Sequence, residues 1–147
     1  MMEEKGRRAV IGLGANLGER EESIRRALEA VNALPGTRVL RRAPLYETAP
    51  VGYLNQPDFL NTAAEVETTL SPRAFLGACL GIEAALGRVR TFPNAPRVVD
   101  IDLLVMEGVV MEERELFLPH PRMRGRAFVL LPLEALYPDG WVLGLDF

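Results

Sequence analysis

Ala9-Val10-Ile11-Gly12-Leu13 is a short apolar run that predicts a buried strand, and it breaks at Gly14-Ala15-Asn16-Leu17-Gly18. From Glu19 to Leu34 the residues Ile24, Ala27, Leu28, Val31 and Leu34 recur at helical spacing, until Pro35-Gly36 stops the helix. Thr37 to Tyr46 alternates loosely and predicts a second strand, followed by a loop rich in Pro, Gly and Asn over Thr48 to Pro57. Phe59 to Thr69 predicts a third strand. Phe59, Asn61, Ala63, Glu65 and Glu67 share one of its faces, and Leu60, Thr62, Ala64, Val66 and Thr68 the other. Ser71-Pro72 opens a second helix, with Ser at the N-cap and Pro at the first helical position. Its inward side carries Phe75, Leu76, Cys79, Ile82, Ala85 and Leu86, and Gly87 ends it. After a loop over Thr91 to Pro96, Val98 to Met106 predicts a fourth strand, and Glu107-Gly108 turns the chain into Val109-Val110-Met111. Beyond Leu118-Pro119-His120-Pro121 a short helix is expected from Arg126 to Leu133.

The order β-α-β-β-α-β predicts an α+β fold of the ferredoxin-like kind: an antiparallel sheet with two helices packed on one face, plus a short C-terminal extension. No linker or repeat interrupts residues 1–147, which read as one domain. Such a frame carries no chemistry by itself.

Composition narrows the possibilities. At 48% hydrophobic and 25% charged residues the chain is globular rather than disordered. No apolar run approaches the roughly 20 residues of a membrane helix. The charged start Met1-Met2-Glu3-Glu4-Lys5 lacks the apolar core of a signal peptide, and Cys79 has no partner for a disulfide, so a cytoplasmic location is expected. A net charge of −3 disfavours a dedicated nucleic-acid binder. Lys5 is the one lysine among 17 basic residues, so any grip on phosphate must come from arginine, backbone amides or metal.

Asp100 and Asp102 stand two apart in an apolar strand, so both carboxylates point to one face. Side by side they repel, and a cation would relieve them. Oxygen ligands in this number suit Mg²⁺ shared with phosphates and water; a solvated strand face is the alternative. Arg88, Arg90 and Arg97 flank the loop entering that strand, and together they suit a polyphosphate carried with its metal. Surface pairing with Glu83 or Glu107 is the plainer account of any one of them. Gly12-Leu13-Gly14-Ala15-Asn16-Leu17-Gly18 misses the dinucleotide spacing by one residue, so its glycines are assigned to turn geometry and close backbone approach. His120 is the single histidine, and Arg122, Arg124 and Arg126 follow it. That company suits donation to an oxyanion, with a structural role as the plainer account of a lone histidine. Phe59 and Asn61 offer a ring and an amide on one face, suited to a flat heterocycle. Cys79 reads as core.

Taken together, Ile11 to Gly18, Tyr46-Glu47-Thr48-Ala49-Pro50-Val51-Gly52, Gln56-Pro57-Asp58-Phe59-Leu60-Asn61, Ile82-Glu83, Gly87-Arg88-Val89-Arg90, Ala95 to Asp102, and Pro119-His120-Pro121 through Arg126-Ala127-Phe128 resemble the 6-hydroxymethyl-7,8-dihydropterin pyrophosphokinases of folate biosynthesis. The resemblance implies transfer of the β,γ-pyrophosphoryl group of ATP to the pterin hydroxymethyl, with release of AMP. It implies two Mg²⁺ ions on Asp100 and Asp102. Arg88 and Arg97 would close over the triphosphate as catalytic arginines. Glu83, Arg88, Arg90, Arg97, His120 and Arg126 would form the ATP side. Thr48, Pro50, Val51, Phe59, Asn61 and Phe128 would form the pterin side, with the two phenylalanines stacking on the ring. Its partners would be these two substrates, with no nucleic acid or membrane, and the protein would act as a monomer. The chain departs from some members in having Asn94 and no tryptophan in the loop before Arg97, Leu80 in place of a polar residue, and an end soon after Trp141. Two other classes compete. A nucleotidyltransferase would release pyrophosphate but normally wants a Gly-Ser phosphate turn, a dipeptide this chain lacks. A non-catalytic ligand-binding module would have no use for a carboxylate pair facing three arginines.

Overall fold

The first apolar run becomes strand β1 (Arg7–Ala15) in the computed structural model, which describes residues 6–89 and 92–146. It outgrows the run because both its edges are paired antiparallel, to β4 (Phe59–Thr68) on one side and β5 (Asp100–Met106) on the other. β2 (Thr37–Arg42) joins outside β4, giving the order β2-β4-β1-β5, and β3 (Tyr46–Thr48) pairs with the N-terminal end of β4. The stretch expected as one strand over 37–46 is therefore two. Ala43 still donates to the Ala63 carbonyl at 2.9 Å, but Pro44 has no amide to continue the ladder.

Helices α1 (Arg20–Asn32) and α2 (Pro72–Ala85) cover one face of this sheet. Ile24, Val31, Phe75 and Cys79 pack there against Ile11, Leu13, Val66, Ile101 and Leu103. α2 begins where its signals place it, the Ser71 hydroxyl accepting from the Ala74 amide at 3.2 Å. Gly87 takes φ 100°, which turns the chain out of the helix toward Arg88. Burial, with Glu83 and Asp102 adding to it, pushes the Cys79 thiol up to about 12. The folded protein should therefore resist iodoacetamide at pH 8 and label only on unfolding. Rapid alkylation of the native state would show that the thiol is not core.

The segment after β5 is more than an extension. Met111–Glu113 (β6) and Leu116–Leu118 (β7) form a small hairpin, as do Trp141–Val142 (β8) and Leu145–Asp146 (β9). Between them α3 runs over Ala127–Leu136, past the expected end at Leu133 and with Pro132 inside it. Its Val129, Leu133 and Leu136, with Met123, Tyr137 and Val142, cover the opposite face of the sheet at Val10, Ala63 and Leu104. Helices on one face only is thus corrected: the sheet is covered on both. The polar clamp for this layer is Glu65, 4% exposed, which accepts from Arg41 Nη2 at 2.9 Å and from the Tyr137 hydroxyl. Arg41 Nη1 donates in turn to the Leu136 carbonyl at 2.8 Å. Glu65 belongs by alternation to the polar face of β4, yet it is buried because the tail folds over it.

Among the described residues no helix is long and apolar enough to cross a membrane.

Candidate active site

The tail leaves one end of that second face uncovered, and a cavity opens there over β4, β1 and β5. Strand register lays out its floor as two rows: Asn61, Gly14 and Asp100 face one another across three strands, and Ala63, Gly12 and Asp102 form the next row. Adjacent strands lie about 4.8 Å apart, so Asn61 and Asp100 are separated by roughly 10 Å with only a glycine between them. A Cβ on Gly14 would sit 3.0 Å from Asn61 Oδ1, and one on Gly12 would sit 3.4 Å from Leu104 Cδ1. Gly12 lies in the strand as expected, and Gly14, expected as the break after it, lies in the strand as well. What they provide is an open floor.

On the β5 side, Arg88 Nη1 pairs with Asp100 and lies 3.0 Å from Glu83, while Arg97 Nη1 stands 3.5 Å from the other Asp100 oxygen. Glu83 is buried and also accepts from the Ile101 amide at 2.7 Å, so it anchors the acid strand to α2. Burial first, then the hydrogen-bonded Asp100 carboxylate and Glu83, push the Asp102 carboxyl up to about 7 against the pull of Arg88. Among the described residues no group of three or more His, Cys, Asp or Glu is arranged for a metal. Among the described residues the cavity offers the two carboxylates of Asp100 and Asp102, oxygen donors that fit a hard cation completed by phosphates and water.

On the β4 side, Asn61 is buried and its Nδ2 donates to Thr48 Oγ1 at 2.6 Å. Phe59 and Phe128 both line the cavity, as do Thr48 and Val51. Each ring carries an arginine: Arg97 lies 5.1 Å from the Phe59 centroid and Arg126 lies 5.3 Å from that of Phe128. Arg97 and Asn94 line this cavity and also an adjoining one that includes Arg88 and Phe92. The carboxylate end and the aromatic end are therefore joined through Arg97.

Other expected residues stand further back. Pro50, Glu83, Arg88 and His120 are not among those lining the main cavity. His120 follows the cis Leu118–Pro119 bond; its amide donates to the Leu104 carbonyl at 2.8 Å, and its Nδ1 accepts from the Arg122 amide at 3.2 Å. That bond leaves the proton on Nε2. Burial, then Arg126 and Arg122, hold the imidazole below its ordinary pKa, with Asp100 opposing, so the neutral form is favoured. Arg90 lies outside the described residues.

Two further residues emerge only from the three-dimensional arrangement. Asn16, 2% exposed, and Gln56 bridge the loops around the cavity. Asn16 and Gln56 both fall in stretches that carry the family resemblance, but the partners of Asn16 at Gln56 and Arg97 lie 40 and 81 residues away, so the sequence does not show that they meet. In the loop without a tryptophan, the Phe92 ring meets Tyr53 edge-on at 5.1 Å.

Comparison with known proteins bears on the family of the chain. Residues 10–138 match the family described as 7,8-dihydro-6-hydroxymethylpterin-pyrophosphokinase (HPPK). A 2-amino-4-hydroxy-6-hydroxymethyldihydropteridine pyrophosphokinase of Methylorubrum extorquens is 47% identical over 132 residues, covering 90% of this chain and 84% of that protein. Proteins of the same name from Pseudomonas aeruginosa and Bacillus subtilis are each 42% identical, covering 90% and 87% of this chain and 82% and 77% of theirs. A Plasmodium falciparum HPPK-DHPS structure superimposes with a TM-score of 0.72 at 16% identity, over 98% of this chain and 44% of that one, a likeness of fold. With nearly its whole length matched, the chain belongs to the 7,8-dihydro-6-hydroxymethylpterin-pyrophosphokinase family and is a pyrophosphokinase.

Proposed function

We propose that the protein transfers the β,γ-pyrophosphoryl group of ATP to the hydroxymethyl oxygen of 6-hydroxymethyl-7,8-dihydropterin, giving AMP and the pterin diphosphate for folate biosynthesis. The observation that carries this reading is the pair of rows across β4, β1 and β5. They set a ring-binding amide and a carboxylate pair about 10 Å apart on one glycine floor. The frame is taken as the ferredoxin-like sandwich, with α3 and the hairpins as an added layer. Asp100 and Asp102 would hold two Mg²⁺ ions, which supply charge neutralisation for the triphosphate. Phe59 and Phe128 would bracket the pterin, Asn61 and Thr48 would read its polar edge, and Val51 and Pro50 would close the rim.

The hydroxymethyl oxygen forms a bond to the β-phosphorus, the bond from that phosphorus to the α,β-bridging oxygen breaks, and AMP leaves with that oxygen. The hydroxyl proton passes to solvent. Arg88 and Arg97 orient and neutralise the transferring group, His120 and Arg126 hold phosphate oxygens, and the loops over 48–57 and 88–97 exclude water. Glu83 supports the nucleotide side by fixing Arg88 and the start of β5.

Product analysis tests the reading directly. With ATP, Mg²⁺ and the hydroxymethyl pterin, AMP and a pyrophosphorylated pterin are expected in equal amounts. Release of pyrophosphate, or ATP consumption independent of pterin, would replace the proposal with nucleotidyl transfer or simple hydrolysis. A narrower prediction concerns the floor. Gly14→Ala places a methyl 3.0 Å from Asn61 Oδ1 and should raise the pterin KM about tenfold, roughly the 1.4 kcal/mol of one lost polar contact, while the ATP KM stays within twofold. An unchanged pterin KM would remove Asn61 from the ring site.

A further inference from the structure

Asn16 lies where three loops meet: its own, after β1, the loop over 49–58 on the ring side, and the arginine-bearing loop that ends at Arg97. Its Nδ2 donates to Gln56 Oε1 at 2.7 Å and to the Pro57 carbonyl at 2.9 Å. Its Oδ1 accepts from the Arg97 amide at 2.9 Å, and its own amide returns a bond to the Arg97 carbonyl at 3.1 Å. Gln56 repeats the pattern, with Nε2 donating to the Tyr53 carbonyl at 2.6 Å and to the Asn94 carbonyl at 2.9 Å. Asn16 thus ties its own loop to each of the other two by two bonds, and Gln56 adds one between those two at Asn94. A carboxamide uses opposed donor and acceptor groups for this, and neither carboxylate nor alkyl side chains carry both.

What these loops carry gives the tie its consequence. Arg97 reaches Asp100 at 3.5 Å and lies over the Phe59 ring, and Pro57 is two residues from that ring. A shift of the Arg97 backbone toward a bound triphosphate must pull on Asn16, or leave a buried amide without its partner. Through Asn16 the shift reaches Gln56, Pro57 and then the ring pocket.

We propose that Asn16 is a positioning residue that couples occupancy of the phosphate side to affinity on the ring side, with Gln56 as its relay. This rests on the substrate assignment above. A plain brace would steady both loops equally with or without nucleotide. A coupler makes one ligand's affinity depend on the other, by the same factor in both directions.

The test is equilibrium titration of 6-hydroxymethylpterin, followed by its fluorescence, with and without α,β-methylene-ATP and Mg²⁺. In the wild type the analogue should tighten pterin binding by about tenfold or more, within the usual range of coupling between sites. Asn16→Ala should bring that ratio to within twofold of one. Asn16→Asp keeps the acceptor for Arg97 but loses both donors, and should do the same. Gln56→Ala acts on a half-exposed side chain, so it folds even if the Asn16 variants do not, and the double variant should be no worse than either single one. A wild-type ratio retained in Gln56→Ala, or a uniform loss of affinity at constant ratio in the Asn16 variants, overturns the coupling role. So does a wild-type ratio of one. If the wild type turns over the pterin while the variants keep its ratio, only this inference fails; if the wild type neither binds nor turns over the pterin, the substrate assignment fails and takes the inference with it.

Discussion

Asp102→Asn is expected to lower pyrophosphoryl transfer by about 10³-fold or more, some 4 kcal/mol of transition-state stabilisation, while the fold survives. The amide keeps the shape and hydrogen-bonding reach of the side chain but removes the charge that a divalent cation would neutralise. The same substitution makes an opposite prediction for stability in chelator. In the folded protein, burial and then Asp100 raise the Asp102 carboxyl from 3.8 to about 7. Between those values the folded state holds a proton that the unfolded chain has lost, so stability falls as pH rises across this window. Asparagine has no proton to lose. The melting temperature of Asp102→Asn should therefore gain on the wild type as pH rises from 5 to 8 in EDTA. Adding Mg²⁺ should raise the wild type and leave the variant behind. Thermal scans at four pH values, with and without metal, decide the matter. A gap that ignores both pH and Mg²⁺ would mean that the two carboxylates are merely solvated.

The second large effect is at Arg97. Its guanidinium stands within reach of Asp100 and over Phe59, so it serves both ends of the cavity. Arg97→Ala should cut kcat/KM by about 10³-fold, the scale of a phosphate-neutralising arginine, and the loss should fall mainly on kcat. Arg97→Lys should recover little of it, because a point charge neither forks across phosphate oxygens nor spreads over a ring. Steady-state kinetics in both substrates separate the possibilities. A lysine variant with near wild-type kcat would show that charge alone suffices, and a change confined to the ATP KM would place Arg97 in ground-state binding.

Much of the frame was legible because its signals are local. Ser71-Pro72 caps a helix wherever it occurs, and Ile24, Leu28 and Val31 make a stripe that can only face a core. Alternation alone put Asp100 and Asp102 on one face, and Asn61 with Phe59 on another. What alternation cannot give is which strands are neighbours. That Gly14 stands between Asn61 and Asp100 follows from pairing across 47 and 86 positions of sequence, and the floor became visible only then. Glu65 was misleading for a similar reason. An acid on a polar strand face reads as exposed until Arg41 and Tyr137, 24 and 72 residues away, close over it. The extent of the tail was hidden because α3 is apolar on several sides, so periodicity gave its presence but not the face it would cover.

The uncovered end of that second face has one more consequence. The α3 layer leaves that part of the sheet open, and a ligand bound there would occupy space that side chains fill elsewhere on the face. A ligand there does what a missing piece of interior would do. It adds RT ln(1 + [L]/Kd) to the unfolding free energy, about 2.7 kcal/mol at a hundredfold excess over Kd. Thermal stability of the protein should then rise with the concentration of whatever binds there, even with no change in any contact between its own side chains.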